Sequence, residues 1–72
     1  MTLTINGEAR DFSSIATLSD LVAHLGMKPD RVAIELNREL IRRESWSTVQ
    51  LKDGDKLEIV HFVGGGAGEP DR

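Results

Sequence analysis

Cysteine is absent from the 72-residue chain. Disulfides, thiolate metal centres and a cysteine nucleophile are thereby excluded, so any chemistry the protein takes part in uses other groups. Tyrosine is missing too, and one Trp with two Phe is too little to build an aromatic platform for single-stranded nucleic acid. Positive charge is thin. Nine Lys and Arg stand against twelve Asp and Glu, a net charge of −3, and apart from Arg42-Arg43 the cations are scattered singly, which leaves no basic stripe for a phosphate backbone. Hydrophobic runs extend only a few residues, so no segment spans a bilayer. Met1 leads directly into alternating residues, without the basic and apolar regions of a secretory signal. Neither nucleic acid nor membrane is an expected partner, and the expected location is the cytoplasm.

What is present is an ordinary globular composition, 39% hydrophobic and 29% charged, in a length that supports one domain. Thr2-Leu3-Thr4-Ile5 alternates polar and apolar, and Asn6-Gly7 is the pair that best tolerates the positive φ of a tight hairpin turn, so a return strand is expected from Glu8 to Phe12. Thr17-Leu18-Ser19-Asp20 reads as a capping box and predicts a helix starting at Leu18. Leu18, Leu21, Val22 and Leu25 then share one face. Gly26 suits the left-handed position after the helix end, and Pro29 discourages continuation. Val32-Ala33-Ile34-Glu35-Leu36 is a β-prone run, with Leu40-Ile41 as a short partner strand. A helical turn is expected across Glu44 to Ser47, with Trp46 as a core anchor. After the turn Asp53-Gly54-Asp55, a last strand is expected from Lys56 to Val63.

Hairpin, helix, hairpin, strand is an α+β order. It predicts the β-grasp arrangement, a mixed sheet of four to five strands with one main helix across it. The first and last strands would be adjacent and parallel, joined by a right-handed crossover. An antiparallel meander with a loosely attached helix is the alternative. The body is placed at residues 1–63 and a tail at residues 64–72. From Gly64 onward no apolar side chain exceeds alanine or proline, so the tail is expected to be flexible. Alone, such a terminus reads as a disordered end or a linker. It is not a phosphate-cradling loop, because it lacks the Lys-Ser/Thr and the following helix.

Three segments give the tail a context. Val32-Ala33-Ile34-Glu35-Leu36-Asn37, Arg43-Glu44-Ser45-Trp46, and Asp53-Gly54-Asp55 through Phe62-Val63-Gly64-Gly65-Gly66 resemble the bacterial sulfur carriers of thiamine biosynthesis, the ThiS family, within a match over residues 1–66. The resemblance implies a β-grasp, ubiquitin-like fold. It also implies a terminal glycine that an activating enzyme of the ThiF type adenylates and that becomes a thiocarboxylate. A sulfur donor protein would load the sulfur, and the thiazole synthase ThiG would receive it. Attachment falls on Gly66, with Gly64 and Gly65 as the flexible arm. ATP would be used by the activating enzyme, with no cofactor bound by this chain and no catalytic residue in it.

The residues argue the same way. Glycines have no β-carbon to obstruct a narrow channel, and three extended residues reach about 10 Å beyond the body. One departure stands out: Gly66 is followed by Ala67-Gly68-Glu69-Pro70-Asp71-Arg72. An internal glycine carries an amide rather than a carboxylate, so a peptidase cutting after Gly66 is expected, and a misread gene end is the alternative.

On the last strand Leu57 and Ile59 should face the helix, with Glu58, Val60 and Phe62 opposite. Val60 and Phe62 then either pack on a neighbouring segment or form a docking patch for partners. His24 and His61 have no second ligand at metal spacing, and Ser13, Ser14 and Ser19 sit in no strained nucleophile turn, so no metal site is expected. Two other functions remain open: a sulfur carrier for molybdopterin or cysteine formation, and a ubiquitin-like module that binds partners through its sheet.

Overall fold

The computed structural model describes residues 1–62. The proposed end of the body at Val63 and the whole of the tail lie outside the described residues. Strands β1 (Thr2–Ile5) and β2 (Glu8–Asp11) form the first hairpin, and helix α1 (Leu18–His24) follows. A 3₁₀ turn (Pro29–Arg31) leads into the second hairpin, β3 (Val32–Leu36) and β4 (Glu39–Ile41). A second 3₁₀ turn (Arg43–Ser45) precedes the last strand, β5 (Lys56–His61). The sheet order is β2-β1-β5-β3-β4. β1 and β5 are parallel, with Thr4 opposite Lys56 and Ile5 opposite Leu57, and β5 runs antiparallel to β3 from Val32–His61 to Leu36–Leu57. This is the β-grasp arrangement, and the meander is excluded.

Both hairpins turn through residues of positive φ. Asn6 and Gly7 have φ of 51° and 84°, and Asn37 and Arg38 have 51° and 74°, the sign pattern whose twist matches that of the flanking strands. Helix α1 begins where the capping box predicts. The Asp20 amide donates to the Thr17 hydroxyl at 3.2 Å, and Asp20 Oδ2 accepts from the Thr17 amide at 3.0 Å. It ends in a Schellman motif around Gly26, whose φ is 73°, with the Met27 amide donating to the Val22 carbonyl at 3.2 Å.

Leu18, Leu21 and Val22 from the helix meet Leu3, Ile5, Ile34, Leu57 and Ile59 from the sheet in one buried cluster. Trp46 is buried beneath the second hairpin, and its indole N–H donates to the Ile41 carbonyl at 3.0 Å. Filling the space between one short helix and the sheet takes such a large side chain, because the loop from residue 42 to residue 55 brings no long element of its own.

Some expected bounds shift, β2 ending at Asp11 rather than Phe12, and one short turn was not expected. The helical turn near Trp46 is Arg43–Ser45, one residue early at its start and two at its end. The 3₁₀ turn at Pro29–Arg31 carries no apolar periodicity, and its signal is only the proline that opens it. Strand β5 ends at His61 among the described residues, although the Phe62 amide still donates to the Arg31 carbonyl at 2.7 Å.

Candidate functional site: the outer sheet face and the end of the last strand

Strand β5 presents its two faces as period two requires. Leu57 and Ile59 are buried under α1, whereas Glu58, Val60 and Phe62 point away from it. Val60 is 56% exposed and Phe62 52%, so Phe62 is not buried against a neighbouring segment. These two stand on consecutive outward positions at the very end of the described chain. Leu40 is 65% exposed on the same outer face. It lies opposite Glu35, which in turn lies opposite Glu58. Sequence reasoning placed Leu40 in a strand but missed that it faces outward. Its neighbour Ile41 is half-buried against the core, and adjacent strand residues face opposite ways; the sequence alone, with two apolar residues side by side, does not say which of them faces in.

The outer face is thus divided along β5. Towards its start Glu35, Arg38, Lys56 and Glu58 line a shallow polar groove with Asn37 and Thr4. Towards its end the face turns apolar. A large exposed aromatic is the kind of residue enriched at the centre of protein interfaces. The charges of the groove alternate in sign and gather no cluster for an anion or a metal.

The backbone that carries this apolar end is held from both sides. On one side β3 pairs with β5 over five positions. On the other side β1 leaves after Ile5, and the side chain of Asn6 takes over. The Ile59 amide donates to Asn6 Oδ1 at 2.7 Å, and Asn6 Nδ2 donates to the Ile59 carbonyl at 3.1 Å. Asn37 does the same at the start of the strand, where the Lys56 amide donates to its Oδ1 at 3.0 Å. Its Nδ2 donates to the carboxylate of buried Asp55 at 3.1 Å. The other Asp55 oxygen accepts the Lys52 amide at 2.8 Å.

His24 and His61 are both exposed. His24 makes an edge contact with Phe12 at 5.6 Å between ring centroids. Among the described residues no group of three or more potential ligands comes together to hold a metal. Gly64, Gly65 and Gly66, the residues on which the carrier chemistry was placed, lie outside the described residues.

A parallel first-to-last strand pair inside a five-stranded mixed sheet, with one helix packed across it, defines a ubiquitin-like β-grasp protein. The sequence profile of the ThiS family matches residues 3–66, so the match runs through Gly64, Gly65 and Gly66. This chain belongs to the ThiS family. Sulfur carrier protein ThiS of Bacillus subtilis is 40% identical over 65 residues, covering 89% of this chain and 98% of the relative. A crystal structure of the thiamine biosynthesis protein ThiS from Geobacter metallireducens superposes with a TM-score of 0.76 at 33% identity, covering 92% of this chain and all of that one. A thiazole synthase from Paramagnetospirillum magneticum is 46% identical over 71 residues, which is 99% of this chain and 22% of the synthase. The chain therefore spans about a fifth of the length of that relative. No helix among the described residues is long and apolar enough to cross a membrane.

Proposed function

We infer that the protein is a non-enzymatic sulfur carrier of thiamine biosynthesis, working in the cytoplasm, whose reactive group is the carboxylate of Gly66. The observation that carries this reading is the family match running through residue 66, on a body whose last strand ends in an exposed apolar pair. In this reading a carboxylate oxygen of Gly66 attacks the α-phosphate of ATP on an activating enzyme of the ThiF type. Pyrophosphate leaves and an acyl adenylate remains. The terminal sulfur of a donor-protein persulfide attacks the acyl carbon and displaces AMP. A thiol then cleaves the resulting acyl disulfide to leave the thiocarboxylate and a disulfide with the donor sulfur, and a thiazole synthase of the ThiG type takes the sulfur for thiazole formation. The carrier contributes no acid or base. The partner supplies positioning and electrostatics, and ATP belongs to the partner.

Val60 and Phe62 are the docking pair, with Gly64 and Gly65 as the arm. Three extended residues from Val63 reach about 10 Å, so any enzyme that acts on Gly66 must sit against the end of β5. The apolar end of the outer face is where such an enzyme gains contact area.

Ala67 to Arg72 must be separated from Gly66 before activation, because an amide carbonyl is a poor nucleophile toward ATP. A peptidase that hydrolyses the Gly66–Ala67 bond supplies the carboxylate. The match to the Paramagnetospirillum thiazole synthase covers 71 of the 72 residues and so passes beyond Gly66. That favours thiazole synthesis over molybdopterin or cysteine formation as the destination of the sulfur.

Growth of a thiazole-requiring bacterial strain that lacks its own carrier tests the reading. A chain ending at Gly66 is expected to restore growth and a chain ending at residue 63 to fail. Equal rescue by both would instead favour a module that works through its sheet alone.

A further inference from the structure

Asn6 occupies a position where the first hairpin ought to abandon the last strand. In a parallel ladder, a residue whose amide donates to residue 57 receives the amide of residue 59 on its own carbonyl, and the residue two further on donates back to carbonyl 59. The Asn6 amide does donate to the Leu57 carbonyl, at 2.9 Å. At that point the chain turns away with φ of 51° and its backbone can make neither remaining bond. The side-chain carboxamide makes both. Its oxygen receives the Ile59 amide at 2.7 Å, and its nitrogen donates to the Ile59 carbonyl at 3.1 Å. A primary amide has the donor and acceptor of a peptide group, so one side chain extends the β1 lane by a full rung.

Beyond that rung β5 has a single neighbour among the described residues. The Phe62 amide pairs with the Arg31 carbonyl on the β3 side. Strand parity aims the His61 amide and carbonyl at the lane that β1 has left, where β1 provides no partner residue. Val60 and Phe62 straddle His61. The order of this exposed pair therefore depends on the last two-sided anchor among the described residues, at Ile59.

We propose that Asn6 is a positioning residue for carrier activation: by clamping Ile59 it pre-organises Val60 and Phe62 for the activating enzyme. This rests on the carrier reading. A pre-organised surface loses less conformational freedom on binding, so the effect belongs to the association step and not to the chemistry on the carboxylate.

The test uses a chain ending at Gly66, which keeps every described element of the fold, and follows ATP–pyrophosphate exchange by a ThiF-type enzyme as the carrier concentration is varied. Asn6→Gly keeps the positive-φ turn without strain and removes only the clamp. The expected result is a KM for the carrier raised roughly tenfold with kcat within about twofold, the scale of one or two lost hydrogen bonds. Asn6→Asp keeps the acceptor for the Ile59 amide but cannot donate to its carbonyl when ionised, and is expected to fall between the two. Ile15→Val, a change at a buried core residue that lies outside β5 and makes no part of the Asn6–Ile59 clamp, should lower stability and leave KM unmoved.

Hydrogen exchange gives a second readout without any partner. In Asn6→Gly the Ile59 and Phe62 amides should lose protection while the Ile34 and Leu21 amides keep theirs. An unchanged KM in Asn6→Gly, beside an active parent, overturns the positioning role alone. A KM rise in Ile15→Val equal to that in Asn6→Gly would also overturn it, since the effect would then be one of stability. A parent chain that supports no exchange at all overturns the carrier reading itself.

Discussion

At the scale of single residues, the most informative ones are those whose surroundings do not suit them. Arg38 holds a φ of 74° in the second hairpin turn, a conformation that places its β-carbon against the following carbonyl. Arg38→Gly is expected to raise stability by up to about 1 kcal/mol, measured as a shift in the denaturant midpoint at constant slope. A loss of stability would show that the guanidinium makes contacts that outweigh the strain. Phe62 is the other misfit, an aromatic ring half in water at the end of a strand. Phe62→Ser should cost about 1 kcal/mol of folding stability, since only part of the ring is buried. It should weaken activation by tenfold or more, as expected of an interface anchor. Equal losses in folding and in activation would remove Phe62 from the docking pair.

Among the elements, helix α1 shows a local signal read without error and then used by the whole fold. Thr17 and Asp20 cap it reciprocally, and the Ala16 amide also donates to Asp20 Oδ2 at 3.0 Å. These backbone amides, Thr17 first and Ala16 next, hold the Asp20 carboxyl below the ordinary value of 3.8. A folded-state value below the unfolded one means that the carboxylate stabilises the protein above pH 3.8 and that the contribution is lost as pH falls through the lower, folded value. The difference in Tm between the parent and Asp20→Asn should therefore be largest near neutral pH and shrink on acidification below that point. A difference independent of pH would contradict this account of the cap.

The strands and turns were equally legible where the cause is local. Asn6-Gly7, Gly26 and Asp53-Gly54 mark chain reversals through backbone conformation, and alternation along Lys56–His61 gives the buried and exposed faces of β5 correctly. What the sequence hides is partnership across the sheet. Nothing near Asn6 in the chain announces Ile59, and nothing near Asn37 announces Lys56 or Asp55. These asparagines read as turn formers, which they are, but their side chains act 53 and 18 or 19 residues away. Leu40 escaped for a related reason, since in a three-residue strand where Leu40 and Ile41 are both apolar, only the packing of Ile41 on the core tells which of the two faces outward.

At the scale of the whole molecule, the fold sets a buried core on one side of the sheet and an exposed apolar pair at the end of its middle strand on the other. One helix and one layer of sheet make a core, and the chain enters and leaves through the two central strands, β1 and β5. Central strands are the most firmly held parts of a sheet, so the end of β5 is a fixed point. Family membership, the apolar end of the outer face and the glycines at positions 64 to 66 all direct attention to that point. The central claim is that the body presents a terminus for another protein to activate, and that this terminus is Gly66. Its most direct test is the mass of the protein after incubation with a ThiF-type enzyme, ATP and a sulfur donor. The chain ending at Gly66 is predicted to gain the mass of one oxygen-to-sulfur exchange while the 72-residue chain, in the absence of a peptidase, gains none. Sulfur appearing on the intact 72-residue chain, or on neither form, would contradict the account.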